Sequence, residues 1–266
     1  MHLPPSLESY KEYFPETDFT YLEQHYPRLC QTKKYILKDV SDCPLDVIDI
    51  GAHWLHQTLL YALDGHRVTA ADLPIALGQP SVLNIAKKNK ISIYTYDDLS
   101  HNSAFDGLQS NSFDLILFTE IIEHLTFNPV DMWKNMYRIL RPGGKIIVTT
   151  PNYYYFGQTV KRLFRIFKRM GGGISIDDIL KHKTMGPHWK EYSAQELKKY
   201  FKLLSKDFVI SKLKHIPSPI AEGSSKTFKR QMIQQIENII PIFRSSLYLE
   251  ISIPKKNRGI EIVPSW

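Results

Sequence analysis

Phe113-Asp114-Leu115-Ile116-Leu117-Phe118-Thr119-Glu120-Ile121-Ile122-Glu123-His124-Leu125 decides the fold. Leu115 to Phe118 is an apolar run of buried-strand length. Polar groups, Thr119, Glu120, Glu123 and His124, follow where that strand ends. A helix-like segment comes next and stops at Arg141-Pro142-Gly143-Gly144, and a second apolar strand, Lys145 to Thr150, runs into Pro151-Asn152. Strand, polar edge, helix, Pro-Gly-Gly, strand is the centre of a doubly wound α/β sheet. Such sheets bind ligands outside the carboxyl ends of their strands, where Thr119–His124 falls.

The alternation extends outward on both sides. Strands are expected at Val47–Ile50, Arg67–Ala71, Ile91–Tyr96, Phe208–His215 and Leu247–Ile253. Helices are expected at Leu55–Leu63, Ser81–Lys88 and Pro129–Leu140, with Pro129 suited to a first turn because its missing N–H costs nothing there. Ser193 and Glu196 read as a capping box opening another helix. Lys226–Ile240 is helical between the last two strands. Residues 1–44 read as a leader of short helical pieces. Within it, Pro27 to Val40 could pack as a helix over the sheet. Residues 45–266 form the main domain, with 153–190 as a lid or acceptor insert.

The bulk numbers exclude several classes. The 266 residues are 43% hydrophobic, enough for one large core. No apolar run reaches the ~20 residues of a membrane-spanning helix. The N-terminus lacks the basic and apolar regions of a secretory signal, and two cysteines give no disulfide framework, so a cytoplasmic location is expected. The net charge of +7 points to anionic surroundings without choosing among phosphate, nucleic acid and lipid. It is uneven: Tyr153 to Arg169 carries Lys161, Arg162, Arg165, Lys168 and Arg169 and no acid. Interleaved with Phe156, Val160, Leu163, Phe164, Ile166, Phe167 and Met170, these can form a basic amphipathic helix over 156–170. It reads either as a lid with a solvated basic face or as a peripheral contact with the inner membrane surface or a carrier-linked acceptor. No nucleic-acid recognition module is visible.

The run Phe113–Asn152 resembles the class I S-adenosylmethionine-dependent methyltransferases, in which Phe-Asp, apolar strand, Glu-x-x-Glu-His-Leu, Pro-Gly-Gly and Thr-Pro-Asn succeed one another. The resemblance covers roughly residues 45 to 215. It implies a Rossmann-like, mostly parallel seven-stranded sheet with an antiparallel last strand, and S-adenosylmethionine as cofactor. The His-x-x-x-Tyr pattern at His188 and Tyr192 looks like enzymes of bacterial sugar, polysaccharide, lipid or quinone biosynthesis. Sugar or glycan O-methylation is the leading expectation and quinone-type O-methylation its rival. A methyltransferase-fold protein without catalysis is the alternative from another class.

Strand ends supply the candidate site. Val47-Ile48-Asp49-Ile50-Gly51 ends a buried strand on a glycine, which lets backbone turn and approach a ligand. The family pattern continues with glycine at the second and third positions, where this chain has His53 and Leu55. Such a loop is ill suited to a dinucleotide pyrophosphate. Asp72, with Leu73 beside it, ends the second strand about 20 residues past that turn, where a carboxylate accepts from ribose hydroxyls. Asp97 or Asp98, ending the third, falls where the family holds the adenine amino group. Asp49 corresponds to the acid that holds the methionine amino group; a backbone-bonded structural role is the alternative. Thr119 and Glu120 border the methionine end. His124 and His188 are the catalytic candidates, with His124 equally readable as a loop anchor and His188 as lid packing. Trp189 and Tyr192 could wall the acceptor pocket. His53 and His56 do not have the spacing of a metal site, and no metal is expected.

Overall fold

The computed structural model describes residues 4–37, 43–159, 188–217 and 228–265. In chain order the elements are α1 (Leu7–Lys11), α2 (Phe19–Leu37), β1 (Asp46–Ile50), α3 (Thr58–Ala62), β2 (Arg67–Asp72), α4 (Pro74–Leu77), α5 (Pro80–Lys88) and β3 (Ser92–Thr95). There follow β4 (Phe113–Thr119), α6 (Val130–Ile139), β5 (Leu140–Pro151), α7 (Ala194–Leu204), β6 (Val209–Ile216), α8 (Phe228–Ile239) and β7 (Ser246–Ser252).

The seven strands make one sheet in the order β3-β2-β1-β4-β5-β7-β6. Strands β1 to β5 pair in parallel, while β7 is antiparallel to both β5 and β6. The chain winds one way from β1 to β2 and β3, then returns to lay β4 on the other side of β1. The crevice beyond β1 and β4 is therefore the topological switch point.

Side-chain alternation divides the core into two layers. Ile48, Ile50, Ile116, Phe118, Ile146 and Val148 face one side, packed by Trp133 of α6 and Phe201 of α7. The Trp133 ring lies edge-on to Phe118 at 5.4 Å and to Phe201 at 5.1 Å, and its Nε1–H donates to Tyr200 Oη at 2.7 Å. Val47, Leu115, Leu117 and Ile147 face the other side, under Leu59, Leu60, Val82 and the leader. Covering both faces is what lets the central strands be near-continuous apolar runs.

The leader is a structural layer of the domain. Leu22, Tyr26, Leu29 and Ile36 fall on one face of α2 and are buried. Lys33 shares that face; its Nζ donates to Leu60 O at 2.9 Å and pairs with Asp64 at 2.8 Å. The sequence reading began a helix at Pro27, whereas α2 starts at Phe19 and runs through Pro27. Proline removes one N–H from a helix interior, but the apolar spacing on both sides of it is continuous and packing decides.

Three boundaries differ in instructive ways. The helix expected from Leu55 begins only at Thr58, because His53 and Leu55 have φ of 48° and 67°, which no right-handed helix accommodates. β5 starts at Leu140 and includes the Pro-Gly-Gly stretch, since Gly143 N–H donates to Ile253 O and Ile253 N–H to Gly144 O. The capping box forms as read: Ser193 Oγ accepts from Glu196 N–H, and the Glu196 carboxylate accepts from Ser193 N–H at 2.8 Å. Most of the insert 153–190, with the expected helix Gln158–Met170 and its basic side chains, lies outside the described residues. No helix among the described residues is long and apolar enough to cross a membrane.

Candidate active site

A cavity of about 740 Å³ opens beyond the carboxyl ends of β1, β2, β3 and β4. Asp49, Gly51, His53, Asp72, Leu73, Asp97, Asp98, Thr119, Glu120 and His124, all singled out in the sequence, line it.

The β1–α3 loop is the most informative part. Gly51, His53 and Leu55 all have positive φ, 79°, 48° and 67°. The three positions at which the resemblance calls for glycine thus keep a glycine-type backbone although two carry side chains. Left-handed backbone costs an L-residue on the order of 1–2 kcal/mol, so packing holds it here. Leu55 is fully buried. His53 is fixed through its backbone N–H, which donates to Asp72 Oδ2 at 2.8 Å, while its ring stacks obliquely on Trp54 at 4.0 Å. Gly51 is different in kind: a Cβ there would stand 2.3 Å from Ile121 Cδ1.

Asp72 ties the loop to β2. Its Oδ1 accepts from Leu73 N–H at 2.7 Å and its Oδ2 from His53 N–H. Each oxygen keeps a further lone pair for a hydroxyl. Asp98 Oδ1 accepts from Ser100 N–H at 2.7 Å, which holds its pKa below the usual range, whereas Asp97 is exposed at the rim. Both line the cavity, so the alternative between them stays open.

Asp49 is fully enclosed. Its Oδ2 accepts from Thr58 Oγ1 at 2.7 Å. Burial pushes its pKa up to about 7; the Thr58 hydrogen bond opposes this and the Asp72 charge adds to it. A carboxyl held near half-protonation at the cavity wall is one that an arriving cation would ionise. Among the described residues, five acids, Asp49, Asp72, Asp97, Asp98 and Glu120, line the cavity against one arginine, Arg28. In a chain of net charge +7, this is a local reversal suited to a positively charged ligand.

Glu120 sits with φ of 58° at the tip of β4. Its Oε1 accepts from Thr149 Oγ1 at 2.8 Å and pairs with Arg28 of α2 at 2.7 Å. Thr119 Oγ1 donates to Gln57 Oε1 at 3.1 Å. Beyond Glu120, a 3-10 turn, Ile122–His124, brings His124 to the cavity and buries Glu123 completely. Burial, and then the Glu120 charge, push the Glu123 carboxyl up to about 8. His188 is not among the residues that line the cavity; it meets His124 from another segment, its ring edge-on at 5.0 Å. The two catalytic candidates are therefore neighbours. Hydrogen bonding to Glu191 raises the His188 pKa.

Neither residue of the expected aromatic wall lines the cavity. Trp189 is exposed, but Tyr192 is 8% exposed and packs against Tyr200 at 6.0 Å. Alternation explains this: Tyr192 lies in a bridge to Asn152 and faces the core. Instead, the leader provides an aromatic side, with Tyr21 edge-on to Trp54 at 5.5 Å and stacked on His56 at 5.6 Å. His56 is a core histidine; burial pushes its pKa down to about 3. Tyr21, Arg28, Trp54 and Glu123 were not nominated from sequence. For Glu123 a signal existed, its place three residues after Glu120. For the leader residues none did.

Residues 48–148 match the family model described as "Methyltransferase domain". Among solved structures, the methyltransferase found with the Haloferax volcanii Trm112 methyltransferase activator aligns at 15% identity and TM-score 0.56, covering 94% of this chain and 98% of that one. A 1,6-didemethyltoxoflavin-N1-methyltransferase of Burkholderia thailandensis, with bound 1,6-didemethyltoxoflavin and S-adenosylhomocysteine, aligns at 14% identity and TM-score 0.54, covering 96% and 92%. An S-adenosylmethionine-dependent methyltransferase of Archaeoglobus fulgidus aligns at 14% and 0.53, covering 88% and 98%. At these identities the structures speak for the fold. A search of curated protein sequences finds no match.

Proposed function

We propose that the chain, whose residues 48–148 match a methyltransferase-domain model, is a class I S-adenosylmethionine-dependent methyltransferase that methylates an oxygen of a sugar or glycan intermediate held at the His124 end of the cavity. When bound, the cofactor supplies a methyl group already activated by a sulfonium charge. The chain's residues have two tasks. Asp72 accepts from the ribose hydroxyls, Asp97 or Asp98 takes the adenine amino group, and Asp49 with Thr119 and Glu120 holds the cationic methionine end. His124, with His188 beside it, would orient the acceptor hydroxyl and take up its proton.

One observation carries this reading: the His124 imidazole lines the cavity four residues past Glu120, with the His188 ring 5.0 Å from it. Imidazole has the unperturbed pKa suited to a base near neutrality. The left-handed backbone kept at His53 and Leu55 supports cofactor binding and weighs against a non-catalytic protein. The aromatic pair Tyr21 and Trp54 favours a second reading, a quinone-type or other ring-bearing acceptor. A carrier-linked acceptor would bring residues 156–170 to the inner membrane surface.

Titration calorimetry with S-adenosylhomocysteine, followed by transfer of labelled methyl to panels of sugar, glycan and quinol acceptors, tests this. His124→Ala should retain the cofactor and lose turnover by roughly 10²–10⁴-fold. Absence of binding by the native chain would leave the non-catalytic alternative. Labelling of quinols and not sugars would replace the acceptor. Vesicles of anionic lipid that neither bind the chain nor change its activity would remove the membrane contact.

A further inference from the structure

Glu123 presents a contradiction that the methyl-transfer reading leaves standing. Its side chain is fully buried, yet Oε1 has no hydrogen-bond partner. Oε2 is satisfied by Thr150 Oγ1 at 2.9 Å, and the main-chain carbonyl accepts from Trp189 N–H at 2.7 Å and Lys190 N–H at 3.2 Å. The residue is thus held firmly on every side but one. A buried carboxylate oxygen without a donor is costly, and buried polar atoms in native proteins nearly always have a partner.

What Oε1 faces is nitrogen. His124 Nε2 lies 4.0 Å away, and one donor atom each from Glu123, His124 and His188 fall within 4.8 Å of one another. We propose that Glu123, His124 and His188 bind a divalent first-row transition cation, such as zinc or manganese, at the acceptor end of the cavity. Two imidazole nitrogens and one carboxylate oxygen are a donor set for such ions rather than for calcium or magnesium. Donors about 2.0–2.2 Å from a common ion stand roughly 3.3 Å apart, so Glu123 and His124, 4.0 Å apart, close by about 0.7 Å and the other pairs by at most about 1.5 Å. The two imidazoles can make that move, being 24% and 39% exposed, while the carboxylate stays fixed.

The surroundings agree with a cation. Glu191 Oε1 lies 3.6 Å from His188 Nδ1, placed to orient that ring from behind, as outer carboxylates do for metal-bound histidines. Three carboxylates, Glu120, Glu123 and Glu191, surround the spot, Glu120 paired with Arg28 and Glu191 set beside His188. His53 and His56, the pair weighed from sequence, take no part. Three protein donors leave a coordination position open, and His124 places it at the cavity. With the cation bound, His124 is a ligand and no longer the base: an acceptor hydroxyl in the open position would become more acidic and pass its proton to water, leaving an oxygen lone pair for the methyl group. That role rests on the methyl-transfer reading; binding of the cation does not.

The test is calorimetry of the metal-stripped chain with zinc and manganese, with cobalt added as a visible-spectrum probe of its ligands, and S-adenosylhomocysteine titrated in parallel. One equivalent of cation is expected to bind, with a cobalt spectrum showing nitrogen ligands. Glu123→Gln is the direct variant. His188→Gln, on a half-exposed side chain, guards against loss of folding. It should weaken cation binding at least about tenfold and leave S-adenosylhomocysteine affinity as it was. Failure of the native chain to bind any of the three ions, or equal binding by His188→Gln, overturns the proposal. Cation binding without S-adenosylhomocysteine binding would uphold the site and remove the methyl-transfer reading.

Discussion

The Arg28 guanidinium of α2 lies 2.7 Å from the Glu120 carboxylate at the tip of β4. The leader therefore finishes the site: it brings the one arginine that lines the cavity among the described residues to the acid that also accepts from Thr149. Both partners are largely sheltered, 12% and 25% exposed. Arg28→Ala should lower the melting temperature and weaken cofactor binding. The coupling of Arg28→Ala with Glu120→Gln in a double-mutant cycle should be about 1–3 kcal/mol. Additive single effects would show that the pair is incidental.

Asp72 should matter twice, for ligand and for loop. With Asp72 holding the ribose as proposed, Asp72→Ala should cost roughly 1.5–3 kcal/mol of cofactor affinity, and it frees the His53 N–H. Calorimetry reads the first effect. Faster amide exchange at His53 reads the second. Unchanged affinity would take Asp72 out of the site.

Asp49 gives a pH dependence with a definite sign. Its carboxyl in the folded chain titrates at about 7, against about 3.9 unfolded. Between those values the folded state holds a proton that the unfolded state lacks. The stabilising contribution is thus complete below the lower value and is lost as pH rises through about 7. A cationic ligand reverses the preference, since it favours the ionised form. Cofactor affinity should fall as pH drops below about 7, approaching tenfold per unit. Asp49→Asn should flatten that profile and stabilise the ligand-free chain at pH about 8. A profile unaltered by Asp49→Asn would mean that another group governs it.

His53→Gly should relieve left-handed strain without disturbing the hydrogen bond from its N–H to Asp72. The variant should be equal to the native chain or up to about 1 kcal/mol more stable, with cofactor affinity kept or improved. A large loss of affinity would assign the imidazole itself to the ligand.

Strands and their acidic ends were legible because both are local: an apolar run of fixed length, then a polar residue where the run stops. Asp72, the pair Asp97 and Asp98, and Glu120 were singled out that way, and Asp49 as a carboxylate inside an apolar strand; all line the cavity. Arg28 and Tyr21 were not singled out, since nothing near them in sequence says which strand end α2 will cross. Pro27 further hid the helix that carries them. Tyr192 was misjudged because a pocket wall and a core face look alike in an aromatic residue until the bridge to Asn152 fixes its direction. The Glu123–His124–His188 trio needed two segments to meet, and only Glu123-His124 is contiguous.

Ile121 Cδ1 occupies the space a side chain at position 51 would need. The residue that closes the β1 turn from above is thus the one from which the Glu123–His124 turn departs. The donor loop and the acceptor turn are keyed together like two wards of one lock. Substitutions at positions 53 and 55 can accumulate and be absorbed locally. A side chain at position 51 would be transmitted, displacing Ile121 and carrying Glu123 and His124 with it. Drift in this chain has a boundary, and the first glycine marks it.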